Sequence, residues 1–162
     1  MKKTLTEDKI QLKELVDKIS ILGDQKDFNN QVKLFTENAL SKTKAEGKVI
    51  MELKGRDIMA KVFAEFLKDV EIIYHFNGQS FFTVKGNEAT GTCYCTITLI
   101  SDREGKKIRT TIGAVYNDQY VRQGNQWYID KRVGDFYGKK NAKFILPNYS
   151  NRLTRVLLHI HY

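Results

Sequence analysis

The sequence predicts an α+β fold, with N-terminal helices packed on a strongly curved antiparallel sheet that forms a cone with a pocket. Two observations carry this. Apolar residues recur at helical spacing as far as Asp69. From Val70 on, β-branched and aromatic residues dominate, and polar turns bearing glycine interrupt them repeatedly. Helices first and hairpin-linked strands after place the helices on one face of the sheet. A sheet bent in this way leaves a hollow at its wide end.

The elements follow in order. TEDKIQLKELVDKISIL (6–22) places Ile10, Leu12, Leu15, Val16, Ile19 and Leu22 near helical period. Thr6 is the expected N-cap, Glu7 and Asp8 suit the first turn, and Gly23 is the expected stop. DFNNQVKLFTENA predicts a second helix capped by Asp27, with Phe28, Val32, Leu34 and Phe35 on its apolar face. Short strands are expected over 41–54 around Glu46-Gly47. RDIMAKVFAEFLKD returns to helical period. Four long strands are expected at 71–85, 88–102, 107–122 and 126–137, joined by short turns around Gly86, Gly105 and Gly124. Connections this short make the pairing antiparallel.

Bulk properties narrow the class. A chain of 162 residues with 41% hydrophobic content and one proline suits a single ordered domain. We assign 1–138 to that domain and 139–162 to a basic tail packing on it or on a partner subunit. The tail, counted from Gly138, carries five basic residues and no acid, out of a net charge of +8. Its basic residues do not interleave with aromatics in an RNA-binding pattern, so nucleic acid is not expected as a partner. No stretch approaches the ~18 apolar residues of a membrane span. The N-terminal MKKTLTEDK lacks the apolar core of a secretory signal. Cys93 and Cys95 stand two apart, where a disulfide would be strained, which fits a reducing, cytoplasmic setting. Neither this pair nor His159 and His161 has the further ligands a metal needs, and no phosphate loop, nucleophile elbow or dinucleotide fingerprint occurs. No metal or cofactor is expected.

Four stretches resemble a known family: LGDQKDFNNQVKLFTENA, LKGRDIMAKVF, YHFNGQSFFTVKGNEATGTCYC and GAVYNDQYVRQGNQWYIDKR. Their order and spacing are similar to SnoaL-like proteins of the nuclear transport factor 2-like superfamily. That superfamily includes dehydratases, isomerases, cyclases, epoxide hydrolases and proteins that only bind. The resemblance implies a cone fold and a homodimer. It also aligns His75 and Asp24 with a proton-transfer histidine and an acidic residue of scytalone dehydratase and the bile-acid dehydratases. The chain departs from them in two places. Ile19 stands where a tyrosine is expected, and 92–98 offers no second histidine.

On a strand, His75, Asn77 and Gln79 share one face. Polar residues at every second position suit a cavity wall better than a solid core, because each buried polar group needs a partner. An ordinary imidazole exchanges protons near neutral pH, and paired with Asp24 it could abstract a proton beside a carbonyl or assist loss of water. The alternative is a hydrogen-bonded wall histidine and an Asp24 that only caps a helix. Tyr116 shares a face with Ile112, Ala114, Asp118 and Tyr120, and could donate to a ligand carbonyl or lie at a dimer interface. Arg132 could hold an acidic ligand group or pair at the surface near Asp130. Trp127 reads as core, or as apolar lining for a ligand.

The expected protein binds a small molecule, as a cofactor-free lyase (dehydratase) or isomerase acting on an apolar oxygenated substrate. His75, Asp24 and Tyr116 are its candidate catalytic residues, and Asn77, Gln79, Arg132 and Trp127 its candidate ligand contacts. The alternative is a non-catalytic ligand-binding or dimeric assembly domain.

Overall fold

The computed structural model describes residues 4–138; the proposed basic tail, with His159 and His161, lies outside them. The elements are α1 (Leu5–Asp24), α2 (Phe28–Gln31), a 3-10 turn (Val32–Leu34), β1 (Phe35–Ala45), β2 (Lys48–Lys54), α3 (Arg56–Phe66), β3 (Val70–Lys85), β4 (Glu88–Arg103), β5 (Lys106–Gln123) and β6 (Gln126–Gly138). Three helices thus pack on one curved, unclosed sheet of six strands, ordered β2-β1-β6-β5-β4-β3. Among the described residues no helix is long and apolar enough to cross a membrane.

Local chemistry sets the first boundary. Thr4, not Thr6, caps α1, because the spacing Thr4-x-x-Glu7 closes a capping box: the Glu7 N–H donates to Thr4 Oγ1 (3.2 Å) and the Thr4 N–H to Glu7 Oε2 (2.6 Å). Gly23 does not stop the helix, which runs on to Asp24. Its value is close approach, since a Cβ there would sit 2.8 Å from Gln31 Nε2.

The second helix is much shorter than its apolar spacing predicts. It ends at Gln31, the chain tightens through one 3-10 turn, and Phe35 opens a strand. Arg56 accounts for the change. Its Nε–H donates to the Phe35 carbonyl at 2.8 Å and an Nη2–H reaches the Lys33 carbonyl at 3.3 Å, taking acceptors that a continuing helix would use. Phe35, Ala39, Ser41 and Thr43 then bury their side chains within β1.

The sheet is mixed rather than wholly antiparallel. The β3–β6 meander pairs antiparallel as expected, but β6 returns beside β1 and runs parallel to it, with Ser41 opposite Arg132. A second irregularity matters more for the site. β3 carries a bulge between Asn77 and Ser80 against β4. Before it the odd-numbered side chains point inward, as at Ile73 and His75. After it the even-numbered ones do, as at Phe82. One extra residue flips the face.

The core fills the hollow away from its mouth. Leu12, Val16 and Ile19 of α1, Met59 of α3 and Phe82, Tyr120 and Ile129 of the sheet are all buried in one cluster, each worth roughly 1.5–3 kcal/mol of burial for an apolar side chain. Trp127 belongs to this cluster. Its Nε1–H donates to Asp8 Oδ1 (3.3 Å), its ring lies 4.4 Å from the Arg122 guanidinium carbon, and Arg122 Nη2 meets Asp8 Oδ2 at 2.5 Å. This buried triad ties the first turn of α1 to the β5–β6 hairpin. Removing one partner of such a pair leaves a buried charge uncompensated. Asp8→Ala is expected to lower stability by about 3 kcal/mol in urea unfolding, with Asp8→Asn milder; a loss below about 1 kcal/mol, the range of surface pairs, would show the triad to be incidental.

Candidate functional site: a closed-ended cavity with a histidine–aspartate pair

A cavity of about 190 Å³ lies between the helices and the inner face of the sheet, and all six strands contribute to its wall. The lining is mainly apolar: Ile19, Phe28, Phe35, Phe63, Ile97, Leu99, Ile112 and Phe136 among others. Polar groups enter at Ser20, Gln31, Ser41, Thr43, His75, Tyr116 and Arg132.

His75 projects from β3 ahead of the bulge. Its Nδ1 lies 2.6 Å from Asp24 Oδ1, and its backbone N–H donates to the same oxygen at 3.0 Å. Both side chains are largely shielded, at 16% and 25% exposure. A carboxylate oxygen accepts, so in the neutral imidazole this contact favours the tautomer with the proton on Nδ1 and the lone pair on Nε2. Among the described residues Nε2 has no hydrogen-bond partner, and the ring is part of the cavity wall. The Asp24 contact thus orients the ring within the wall.

Tyr116 lies on the same wall. Burial, only partly opposed by the Arg132 guanidinium, pushes its phenol well above the usual tyrosine range, so at neutral pH it is a donor and not a base. Its ring stacks on Arg132 (4.4 Å, ring centroid to guanidinium carbon) and meets Phe136 edge-on at 6.0 Å. Gly134 makes room for both rings, since a Cβ there would approach them to 2.9–3.1 Å.

Arg132 faces inward, not towards Asp130, whose carboxylate instead accepts from Thr36 Oγ1 at 2.7 Å. Arg132 Nε and Nη2 donate to the two oxygens of Asp118 at 2.9 and 2.7 Å, and the Tyr120 hydroxyl donates to Asp118 at 2.9 Å. Burial alone would weaken the guanidinium's hold on its proton, but Asp118 more than offsets this and raises its pKa. The guanidinium is thereby held in its charged form against Asp118.

The remaining candidates sit elsewhere. Asn77 does not line the cavity; its Nδ2 donates to Asp17 and Ser20, both at 3.0 Å, docking α1 on β3. The bulge turns Gln79 out to solvent, which corrects the alternation drawn through Gly78. Trp127 belongs to the Asp8 triad and is not part of the cavity wall. Cys93 and Cys95 are buried free thiols, each pushed up to about 11 chiefly by burial, and so are poor nucleophiles at neutral pH. Among the described residues no group of three or more His, Cys, Asp or Glu side chains could hold a metal.

Two residues of the site drew no functional role from the sequence. Gln31 is buried on the wall, where Nε2 donates to the Ile19 carbonyl (2.9 Å) and Oε1 has no partner. The carbonyl fixes the orientation of the amide, since a flip would set two acceptors face to face. Its signal was the position three residues after Phe28 on the apolar face of α2. Asp118 is the other; its signal was an acid between Tyr116 and Tyr120 on an inward-facing strand.

Comparison with known proteins places this geometry. The chain matches no curated protein. Its backbone is similar to solved structures from Novosphingobium aromaticivorans. One is an NTF2-like protein with a cystatin-like fold (21% identity, 85% of this chain and 87% of that one, TM-score 0.62). A second is described as a candidate scytalone dehydratase (16%, 82% and 85%, TM-score 0.67). A third is described as the β subunit of a candidate aromatic-ring-hydroxylating dioxygenase (13%, 83% and 92%, TM-score 0.70). At these identities the likeness establishes the fold. The family model for the SnoaL-like domain matches residues 4–133, most of the chain, and the protein belongs to the SnoaL-like family.

Proposed function

We propose that the cavity binds a small apolar oxygenated molecule and that His75 moves a proton on it without a cofactor, giving isomerisation or loss of water. The carrying observation is the 2.6 Å His75–Asp24 contact on the wall of a largely apolar hollow. His75 Nε2 would take a proton from the carbon beside a ligand carbonyl. Tyr116 would donate to the carbonyl oxygen as negative charge grows there. Asp24 would hold the ring's tautomer and stabilise the imidazolium. The proton then returns to another carbon, or goes to a departing β-hydroxyl that leaves as water. The neighbour described as a candidate scytalone dehydratase supports this class. The cavity lies below the roughly 300–1,000 Å³ of drug-sized ligand sites, so the ligand has one or two rings.

The same reading gives Gln31 a purpose, because a ligand hydroxyl would supply its missing partner. It also extends to the outer sheet face, where Tyr74, Phe76, Tyr94 and Tyr137 are exposed on neighbouring strands. Phe76 and Tyr137, 64% and 63% exposed, terminate one cross-strand row through Thr96 and Gly113. Apolar faces of this kind are normally covered, and a two-fold contact with a second copy covers it symmetrically. The neighbour described as a β subunit supports assembly through this fold. We place the homodimer in the cytoplasm, where Cys93 and Cys95 stay reduced.

Three outcomes test these proposals. With a panel of one- and two-ring cyclic ketones in D₂O, wild-type protein should accelerate exchange of the proton beside the carbonyl. His75→Gln should lose about 10²–10⁴-fold of that acceleration, the usual worth of a positioned base; exchange undiminished in His75→Gln rules out the base. Gln31→Met should weaken binding of hydroxylated ketones about fivefold or more, roughly the worth of one hydrogen bond, and of their unhydroxylated analogues less, because it removes the acceptor that a ligand hydroxyl would use. Unchanged affinity would place Gln31 outside the ligand's reach. Finally, Phe76→Glu combined with Tyr137→Glu should convert a sedimenting dimer to a monomer, and a dimer that survives both substitutions uses another face.

A further inference from the structure

The chain is strongly basic, and its cavity displays an arginine, which together suggest an anionic ligand. The pairing inside the cavity points the other way. Of the residues that line it, only Arg132 and His75 carry or acquire positive charge, and each is already matched by a carboxylate. Asp118 takes two of Arg132's donors and is itself completely covered, with the Tyr120 hydroxyl bound to one of its oxygens. It cannot turn to solvent without breaking three hydrogen bonds. Asp24 faces His75. The wall is therefore neutral when His75 is protonated and carries one negative charge when it is not.

Hydrogen-bonding capacity remains although net charge does not. Arg132 Nη1 and the Tyr116 hydroxyl bond to no described residue. Ser41, opposite Arg132 across the β1–β6 pair, adds its hydroxyl as a third polar group in the cavity wall. These groups would satisfy a carbonyl, phenol or alcohol oxygen. A carboxylate would make the same bonds but would bring a charge into an apolar enclosure that has no free countercharge, and that is unfavourable.

We propose that the site selects neutral oxygenated ligands over anionic ones, and that Asp118, one layer behind the wall, is the residue that sets this preference by cancelling Arg132. The inference rests on the cavity being the ligand site. It makes Asp118 a specificity determinant that need not touch the ligand.

The test uses a matched pair of probes, 2-naphthol and 2-naphthoate, titrated at pH 7 by calorimetry against the full chain. Wild-type protein should bind the naphthol more tightly by about tenfold or more, the scale of one uncompensated charge in a partly buried site. Asp118→Asn keeps the shape and the Arg132 contact but frees the positive charge, and should reverse the preference. Asp118→Asn with Arg132→Gln, which has no charge on the wall at that point, should restore it. Naphthoate binding wild type as tightly as naphthol overturns the charge rule alone, and that comparison stands even if Asp118→Asn does not fold. Neither probe binding overturns the ligand-site reading and this inference with it.

Discussion

The Asp24 carboxylate carries a structural and a chemical task at once. β3 is an edge strand, so some of its backbone groups face away from the sheet with no partner strand. Exposed edges of this kind invite pairing with other chains unless they are covered. Asp24, the last residue of α1, takes the free His75 N–H and the His75 ring together. Lys26 reaches the Val70 carbonyl on the same strand, and Asn77 grips Ser20 and Asp17. The C-terminal turn of α1 is thereby sewn to the open edge, and closing the edge orients the imidazole. In this protein the roof of the cavity and the tautomer of its histidine have a common cause.

That coupling explains why part of the site was legible and part was not. His75 stood out because a polar residue in an apolar strand run needs a reason. The pairing with Asp24 was suggested only by family resemblance, since 51 positions separate the two residues. Alternation worked along β3 until Gly78, then failed. A bulge depends on how β3 meets β4, and its one local sign, Gly78 inside a strand run, was not used; Gln79 was therefore assigned to the wrong face. The second helix failed for a similar reason. The apolar spacing of Phe28, Val32 and Phe35 is helical, yet Arg56, from a later helix, takes the carbonyls needed to continue it. The parallel pairing of β1 with β6 is likewise non-local. Gln31 went unread because a polar residue on an apolar helix face is usually assigned to solvent, and Asp118, although placed on the face of Tyr116, shows its partner Arg132 only in the tertiary structure.

The molecule divides its inner volume between two kinds of packing. Around Trp127 and Asp8 the polar groups are largely matched and the apolar ones dense, although Arg122 Nε lacks a partner. Around His75 the described residues leave an orphaned amide oxygen and a hollow of about 190 Å³. An orphaned buried acceptor and an unfilled hollow each cost stability in the empty protein. Sites where local rules are broken while the rest of the fold obeys them are where function is normally found. The hollow left at one end, beside a dense core at the other, is thus itself an argument for ligand binding.

Charge is divided in the same way, between exterior and interior. The net charge of +8 creates a field outside the protein that draws anions towards it. Surface charges are screened by salt within about a Debye length, ~8 Å at physiological ionic strength, whereas pairs inside the cavity act through a medium that screens far less. The groups deciding what stays bound are therefore the local ones, and here both cations have been answered by carboxylates. A buried guanidinium without Asp118 would shed much of its cost by capturing any available anion, and the site would be filled by whatever acid was abundant. On the proposed reading Arg132, cancelled by Asp118, keeps its directional N–H and loses its indiscriminate attraction, so that shape and hydrogen-bond geometry, rather than charge, would govern what the cavity holds beside His75.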